Sequence, residues 1–350
     1  MADIFFFVVN FGGLVKEEKI LLGYGSGGKL SHRLINDVML KAFDNPALRR
    51  LDDSAVINCR GGRLAYSTDS YVVSPIFFPG GDIGSLAVNG TVNDLSMMGA
   101  VPLCLSLSLI IEEGLSMECL KKIISSVKVC AKEAGVNIVT GDTKVVESGA
   151  ADKIFINTSG IGVIPKGINI SGSNAKPGDR IILSGPIGEH GIAILNERNK
   201  LNFKGKLKTD CQPLNGLVQK MLQAGSHIHC LRDPTRGGLA TTLNEIASSS
   251  GVGMEIEENK ISVRREVMSA CEILGLDPLY VANEGRLIAV VKQSEAQKIV
   301  AVMRKTKWAR DAAVIGEVSG DRGKKVILKT AIGGKRILDM LSGEQLPRIC

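Results

Sequence analysis

The stretch Leu103-Cys-Leu-Ser-Leu-Ser-Leu-Ile-Ile111 carries an apolar residue at every odd position, the period-two pattern of a strand with one face buried. Ser116 follows as a helix N-cap. Leu120, Ile123, Ile124, Val127 and Ala131 then line one helical face, and Gly135 ends the helix. Further strands are predicted from Val136 and over Ile154–Val163. A chain that alternates in this way must lay helices against a sheet, which sets the fold class as α/β, of the α+β type.

The pattern restarts in the second half with a strand over Arg180–Ser184, helices near 214–224 and 239–249, and a strand ending at Val291. At 350 residues, two domains each have enough chain for a core. The polar run Ser171–Asp179, after Pro165-Lys-Gly, is the predicted joint. The expected division is residues 20–167, residues 168–333 and a flexible tail over 334–350, hinged at Gly333-Gly334. Residues 1–19 form an atypical extension. Its apolar Ile4–Val9 is too short to span a bilayer and follows an acid instead of a basic flank.

Composition excludes some functions. A net charge of +7 is spread among acids, with only 4% aromatics, so a nucleic-acid surface is not expected, and no segment has transmembrane length. Eight cysteines without a C-x-x-C point to a reduced, cytoplasmic chain. The last of them, Cys350, is the final residue of the sequence. It does not fit the prenylation box, and a cysteine at that position is not expected in a core. The residues beyond Gly334, if extended, would span on the order of 50 Å, enough to bring its thiol into a site on this subunit or on another protein.

The glycine loop Gly23-Tyr-Gly25-Ser-Gly27-Gly28-Lys29 satisfies two nucleotide motifs formally. Leu30 stands where a P-loop needs a hydroxyl, and no acid sits where a dinucleotide fold wants one. A glycine loop with one lysine remains, able to cover phosphates or to act as a plain turn. Acids recur at strand and helix ends as Asp52, Asp53, Asp69, Asp94 and Asp142; if they converge, their oxygens suit a hard cation such as magnesium. Asn89, Asn93 and Ser96 form a polar stripe on an otherwise apolar helix, costly unless each meets a partner. Thr235, Arg236, Gly237 and Gly238 open a helix and read as an anion site or a charged cap. Glu284, before a buried strand, is a candidate general base or a turn carboxylate. His227 and His229 alternate on a strand, but no further ligands show zinc spacing.

Taken in order, Gly25-Ser-Gly-Gly-Lys29, Asp52-Asp53, Thr68-Asp69, Asn93-Asp94-Leu-Ser-Met-Met-Gly-Ala, Gly141-Asp142-Thr, Asp233-Pro-Thr-Arg-Gly-Gly and Asn283-Glu284-Gly resemble the aminoimidazole ribonucleotide synthetase-like (PurM-like) ATP-dependent enzymes. Pro347-Arg-Ile-Cys350 narrows the resemblance to the hydrogenase-maturation carbamoyl dehydratases. The match runs from about residue 20 to the end.

The resemblance implies a homodimer whose N-terminal strands form a barrel, with ATP sites near the subunit interface. It implies that a carbamoyltransferase, maturation protein F, carbamoylates Cys350. This chain then uses ATP and Mg2+ to dehydrate the carboxamide to a thiocyanate, and the cyano group passes to iron on maturation proteins C and D. The matched positions give Cys350, Lys144 and Glu284 as catalytic, and Lys29, Asn93, Thr235, Arg236, Gly237 and Gly238 as ATP contacts. Asp52, Asp53, Asp69, Asp94 and Asp142 are the matched metal ligands. Arg348 is expected to favour the Cys350 thiolate. The alternatives are a relative acting on a free small molecule (a selenophosphate synthetase, thiamine-phosphate kinase or cyclo-ligase) and a non-catalytic cysteine carrier.

Overall fold

The computed structural model describes residues 20–25, 27–201, 203, 207–321, 323–341, 346 and 348–350; the 1–19 extension, with its apolar Ile4–Val9, lies outside them. A helical run comes first: α1 (Lys29–Leu34), a wider π-helical segment (Ile35–Met39) and α2 (Leu40–Phe43). The first unit then contains β1 (Ala55–Cys59), β2 (Gly62–Tyr71), the short pair β3 (Phe77–Phe78) and β4 (Gly81–Asp82), and α3 (Ile83–Met97). It continues with β5 (Val101–Glu112), α4 (Met117–Ala134), β6 (Asn137–Val146) and β7 (Ile154–Ile164). Its long strands form an open sheet in the order β1-β2-β7-β5-β6. Within one chain this sheet is not a barrel, because β6 pairs only with β5.

Local chemistry sets the helix ends as the residue pattern predicts. Ser116 accepts the backbone N–H of Cys119 at 3.1 Å, and Gly135 ends α4 in the left-handed conformation at φ 71°. α3 starts at Asp82, whose carboxylate accepts from the N–H groups of Gly84 and Ser85 while Ser85 Oγ receives the Asp82 N–H, a reciprocal capping box. Every residue of α3 except Asp94 is buried. The sheet covers one side of this helix and the second unit covers the other, so its polar stripe faces protein and not water. Gly90 lets it approach the sheet closely, since a Cβ there would lie 2.2 Å from Tyr71 Oη.

The second unit comprises β8 (Arg180–Leu183), α5 (Glu189–Asn199), α6 (Asn215–Ala224), β9 (Ile228–Arg232), α7 (Gly238–Ser250) and β10 (Gly253–Glu257). After these come α8 (Arg265–Leu274), β11 (Ile288–Val291), α9 (Gln293–Arg304), β12 (Ala313–Ser319), β13 (Val326–Lys329) and β14 (Lys335–Leu338). The strands form one sheet in the order β14-β13-β10-β12-β8-β11-β9. Alternate residues feed opposite cores: Ile181, Leu183, Ile288 and Val290 on one face, Ile182, Leu287, Ala289 and Val291 on the other. Burial on both faces explains why these strands read as continuous apolar runs.

The structure corrects the expected tail boundary. Gly333, at φ 88°, turns a hairpin, and β14 pairs antiparallel with β13 through Lys335–Leu338. Gly333-Gly334 is therefore a sheet turn and not the hinge, and residues 335–338 belong to the second unit. No helix among the described residues is long and apolar enough to cross a membrane.

Candidate functional site

Acids reach one cavity from different elements. Asp53 precedes β1, Asp69 lies in β2, Asp94 is the one half-buried residue of α3, and Asp233 follows β9. Carboxylate oxygens of Asp53, Asp94 and Asp233 all lie within 4.8 Å of one another. Arg232 donates to Asp53 at 2.7 Å and to Glu245 at 2.8 Å, and Ser67 Oγ donates to Asp94 at 2.6 Å. The second oxygen of Asp53 is buried without a hydrogen-bond partner. Burial, reinforced by the neighbouring carboxylates, pushes Asp53 and Asp94 well above the carboxylate range and Asp233 up to about 6. Crowded, under-neutralised oxygens fit a hard divalent cation, which would supply the missing positive charge.

The cavity, of about 340 Å³, is also lined by Tyr71, Thr235, Arg236, Glu284 and Cys350. Glu284 is buried, and its carboxyl pKa stands well above the usual range. Burial is the main cause, the charges of Asp233, Asp210 and Asp69 add to it, and Arg236 opposes. Asp210 holds the Glu284 backbone N–H at 3.2 Å and that of Gly285 at 3.3 Å.

The tail lies inward. Val72 N–H donates to Cys350 O at 3.0 Å and Ser74 N–H to Arg348 O at 3.2 Å. Contrary to expectation, Cys350 packs against the core that contains Tyr71, Val73 and Ile349. Burial raises its thiol to about 11, with Arg236 the main opposing influence and Glu284 and Asp69 adding to the rise. Arg348 does not play the part expected of it. It is spent on Val72 O at 2.9 Å and Asp152 at 2.8 Å, and sits over the Phe155 ring. The guanidinium that faces the thiol is that of Arg236.

Several expected site residues are engaged with protein partners. Asp52 borders the cavity, but its carboxylate is engaged at the joint, where it accepts from Ser171 Oγ and from Gly172 N–H at 2.8 Å and pairs with Arg50. Lys29 pairs with Asp339 at 2.9 Å, on the side of the tail and away from the cavity lining. Asn93 is fully buried. Its oxygen accepts Leu214 N–H at 2.8 Å and its amide donates to the carbonyls of Gln212 and Glu284, so it clamps the two units. Gly238 serves close packing, because a Cβ there would meet the backbone oxygens of Leu279 and Val281 at 2.7 Å. Gly237, at φ 77°, is the N-cap of α7.

Asp142 and Lys144 sit mid-strand on β6, exposed and paired with each other at 2.8 Å, not at a strand end. The register Ser70–Asn157–Ser108–Asp142 places Asp142 on the outer face, whereas Asp69 shares the inner row with Thr158, which bonds to Thr91 of α3. Asp142 therefore does not join the other acids within one chain, and Lys144 does not meet Cys350 there. His227 and His229 pair separately with Glu295 and Asp179.

Residue patterns missed Asp233 as a potential cation ligand, because Arg232-Asp-Pro-Thr-Arg read as an anion site. They also missed His190 and Arg198, which hold the tail. A histidine and an arginine on a helix carry no local sign that their partner is backbone more than 100 residues away.

Residues 51–164 match the N-terminal domain of AIR synthase related proteins, and residues 176–329 match their C-terminal domain. The carbamoyl dehydratase HypE of Azotobacter vinelandii is 52% identical over 93% of this chain and 96% of its own length. The Escherichia coli carbamoyl dehydratase HypE is 45% identical over 95% and 99%. A crystal structure of hydrogenase maturation protein HypE in complex with ATP superposes with a TM-score of 0.80 at 52% identity, covering 95% of this chain and 100% of the other. Thiamine monophosphate kinase from Aquifex aeolicus, at 18% identity and a TM-score of 0.63, shares the fold alone. On these likenesses the chain belongs to the AIR synthase related family and, within it, to the carbamoyl dehydratases of hydrogenase maturation.

Proposed function

We propose that this protein uses ATP to dehydrate a carbamoyl group carried on the sulfur of Cys350, giving a thiocyanate destined to become the cyanide ligand of a [NiFe]-hydrogenase iron. The observation that carries this reading is that Cys350 and Glu284 line one cavity with Arg236 and the acids Asp53, Asp69, Asp94 and Asp233. A tethered substrate, a candidate proton acceptor and a charge-binding wall meet there.

The carboxamide oxygen takes the γ-phosphoryl group of ATP, ADP leaves, and one N–H proton is lost. Loss of the second N–H proton then breaks the C–O bond, expels phosphate and completes C≡N. Glu284 would accept a proton, but the buried carboxyl first has to lose its own. Neutralising Asp233 would remove the largest of the three carboxylate charges, Asp233, Asp210 and Asp69, that hold it. Arg236 and Thr235, which line the cavity, would make phosphate contacts. Asp53, Asp94 and Asp233, with Asp69 beside them, are the residues that would hold Mg2+, which when bound offsets phosphate charge.

Lys144 and Asp142 reach such a cavity only from a second copy. The outer face of the first sheet leaves Ile57, Tyr66, Leu103, Ile161 and Val163 exposed, and β6 has an unpaired edge. These are features that a homodimer would cover. The inward tail withholds Cys350, so carbamoylation and cyanide delivery need it outward. A HypE relative is known in complex with HypF, which supports maturation protein F as the donor of the carbamoyl group; proteins C and D would receive the cyanide. All eight cysteines are free, in keeping with a cytoplasmic setting.

Phosphate release tests the reading. With Cys350 carbamoylated, one phosphate per carbamoyl group is expected from ATP. Cys350→Ala should release none, and Asp94→Asn should slow release at least tenfold. Equal release with and without the carbamoyl group would refute it.

A further inference from the structure

Three consecutive tail residues, whose side chains pack against the core or pair with Asp152, are also gripped through their main chain. Val72 N–H to Cys350 O and Ser74 N–H to Arg348 O place 72 opposite 350 and 74 opposite 348, the order of an antiparallel strand addition. Two side chains of α5 complete the grip. His190 Nε2 meets Ile349 O at 2.6 Å, and Arg198 donates to Arg348 O at 2.6 Å and to Ser74 O at 2.7 Å. One guanidinium thus ties both backbones together.

The His190 ring is fully buried, and burial lowers its pKa. A carbonyl can only accept, so Nε2 carries the proton. Nδ1 is then the acceptor for Thr209 Oγ1 at 2.7 Å. The ring is also fixed edge-on to Phe78, with centroids 5.7 Å apart. Neither His190 nor Arg198 lines the cavity that holds Cys350 and Glu284.

We propose that His190 and Arg198 are positioning residues for the tethered substrate. They read the tail as an added strand, through its carbonyls, and so set how far residue 350 enters the cavity. The proposal rests on the dehydratase reading for its catalytic arm only; the docking arm stands without it.

The test uses the full chain with Arg198→Met, His190→Gln and Arg198→Lys, after checking that each is folded. In the docking arm, iodoacetamide labelling of unmodified Cys350 is followed on the C-terminal peptide. Labelling should rise about tenfold in Arg198→Met and His190→Gln, the loss of one strong hydrogen bond, and Arg198→Lys should restore part of the protection. ATP affinity should stay within about twofold. In the catalytic arm, single-turnover conversion of the carbamoylated chain should slow by a similar factor.

Wild-type labelling and conversion rates in both Arg198→Met and His190→Gln would overturn the proposal. If wild type itself converts nothing, the dehydratase reading fails while the labelling arm still decides the docking. Should His190→Gln not fold, Arg198→Met decides alone, since Arg198 is only half-buried.

Discussion

Asn93 Oδ1 accepts the backbone N–H of Leu214 at 2.8 Å, and through that bond the helix at the heart of the first unit is tied to the second. The same side chain donates to Gln212 O and Glu284 O, both at 3.2 Å. Asn93→Ala strands these buried groups, each at a cost of about 1–3 kcal/mol. A stability loss of about 3 kcal/mol or more is expected, measured by denaturant unfolding. If Asn93 were instead a nucleotide contact, stability would be unchanged and only ATP affinity would fall.

The Cys350 thiol, raised to about 11 when docked, gives the tail a pH dependence with a definite sign. The docked state holds its proton more tightly than a free thiol, whose ordinary value is 9.0. The thiol's contribution to docking is therefore fully present below pH 9 and is lost as pH rises from 9 toward about 11. Labelling of Cys350 should accelerate through this window beyond the growth of the thiolate fraction of a free peptide. A carbamoylated sulfur has no proton to lose, so the modified tail should stay docked across the same range. Tail proteolysis reads this directly, and cleavage of the carbamoylated chain that rises with pH like that of the free thiol would contradict it.

The separation of Lys144 from Cys350 within one chain leads to a mixing experiment. Subunits carrying Lys144→Ala retain Cys350, and subunits carrying Cys350→Ala retain Lys144. If Lys144 serves the partner's site, mixed dimers should recover up to half of the wild-type conversion per Cys350-bearing subunit pair. Mixed dimers as inactive as the Lys144→Ala parent would place Lys144 outside the partner's chemistry.

Local patterns carried much of the fold. Ser116 and Gly135 bound α4 because capping and left-handed termination are local chemistry. The alternation of Leu105–Ile111 reports one buried face, whereas Leu103, at an irregularity in the register, is exposed. What was not legible depends on contacts distant in the chain. Asp52 and Asp53 are neighbours, yet one bonds to Ser171 and the other to Arg232, and no pattern at 52–53 distinguishes them. Gly333-Gly334 looks like a hinge until the pairing of β14 with β13 is seen. Lys29 follows a glycine loop but finds Asp339, a partner set by where the chain returns. Asp69, Asp94, Arg236 and Glu284 do meet, because each ends or borders an element whose position the fold fixes.

The central claim is that Cys350 carries the substrate for a site built around Glu284 and the acids. Its most direct test is the intact mass of the chain after incubation with the carbamoyltransferase and carbamoyl phosphate, before and after ATP is added. The expected result is a gain of one carbamoyl group on Cys350, followed by loss of one water only with ATP, and no gain in Cys350→Ala. An unmodified Cys350, or a carbamoyl group that survives ATP unchanged, would contradict it.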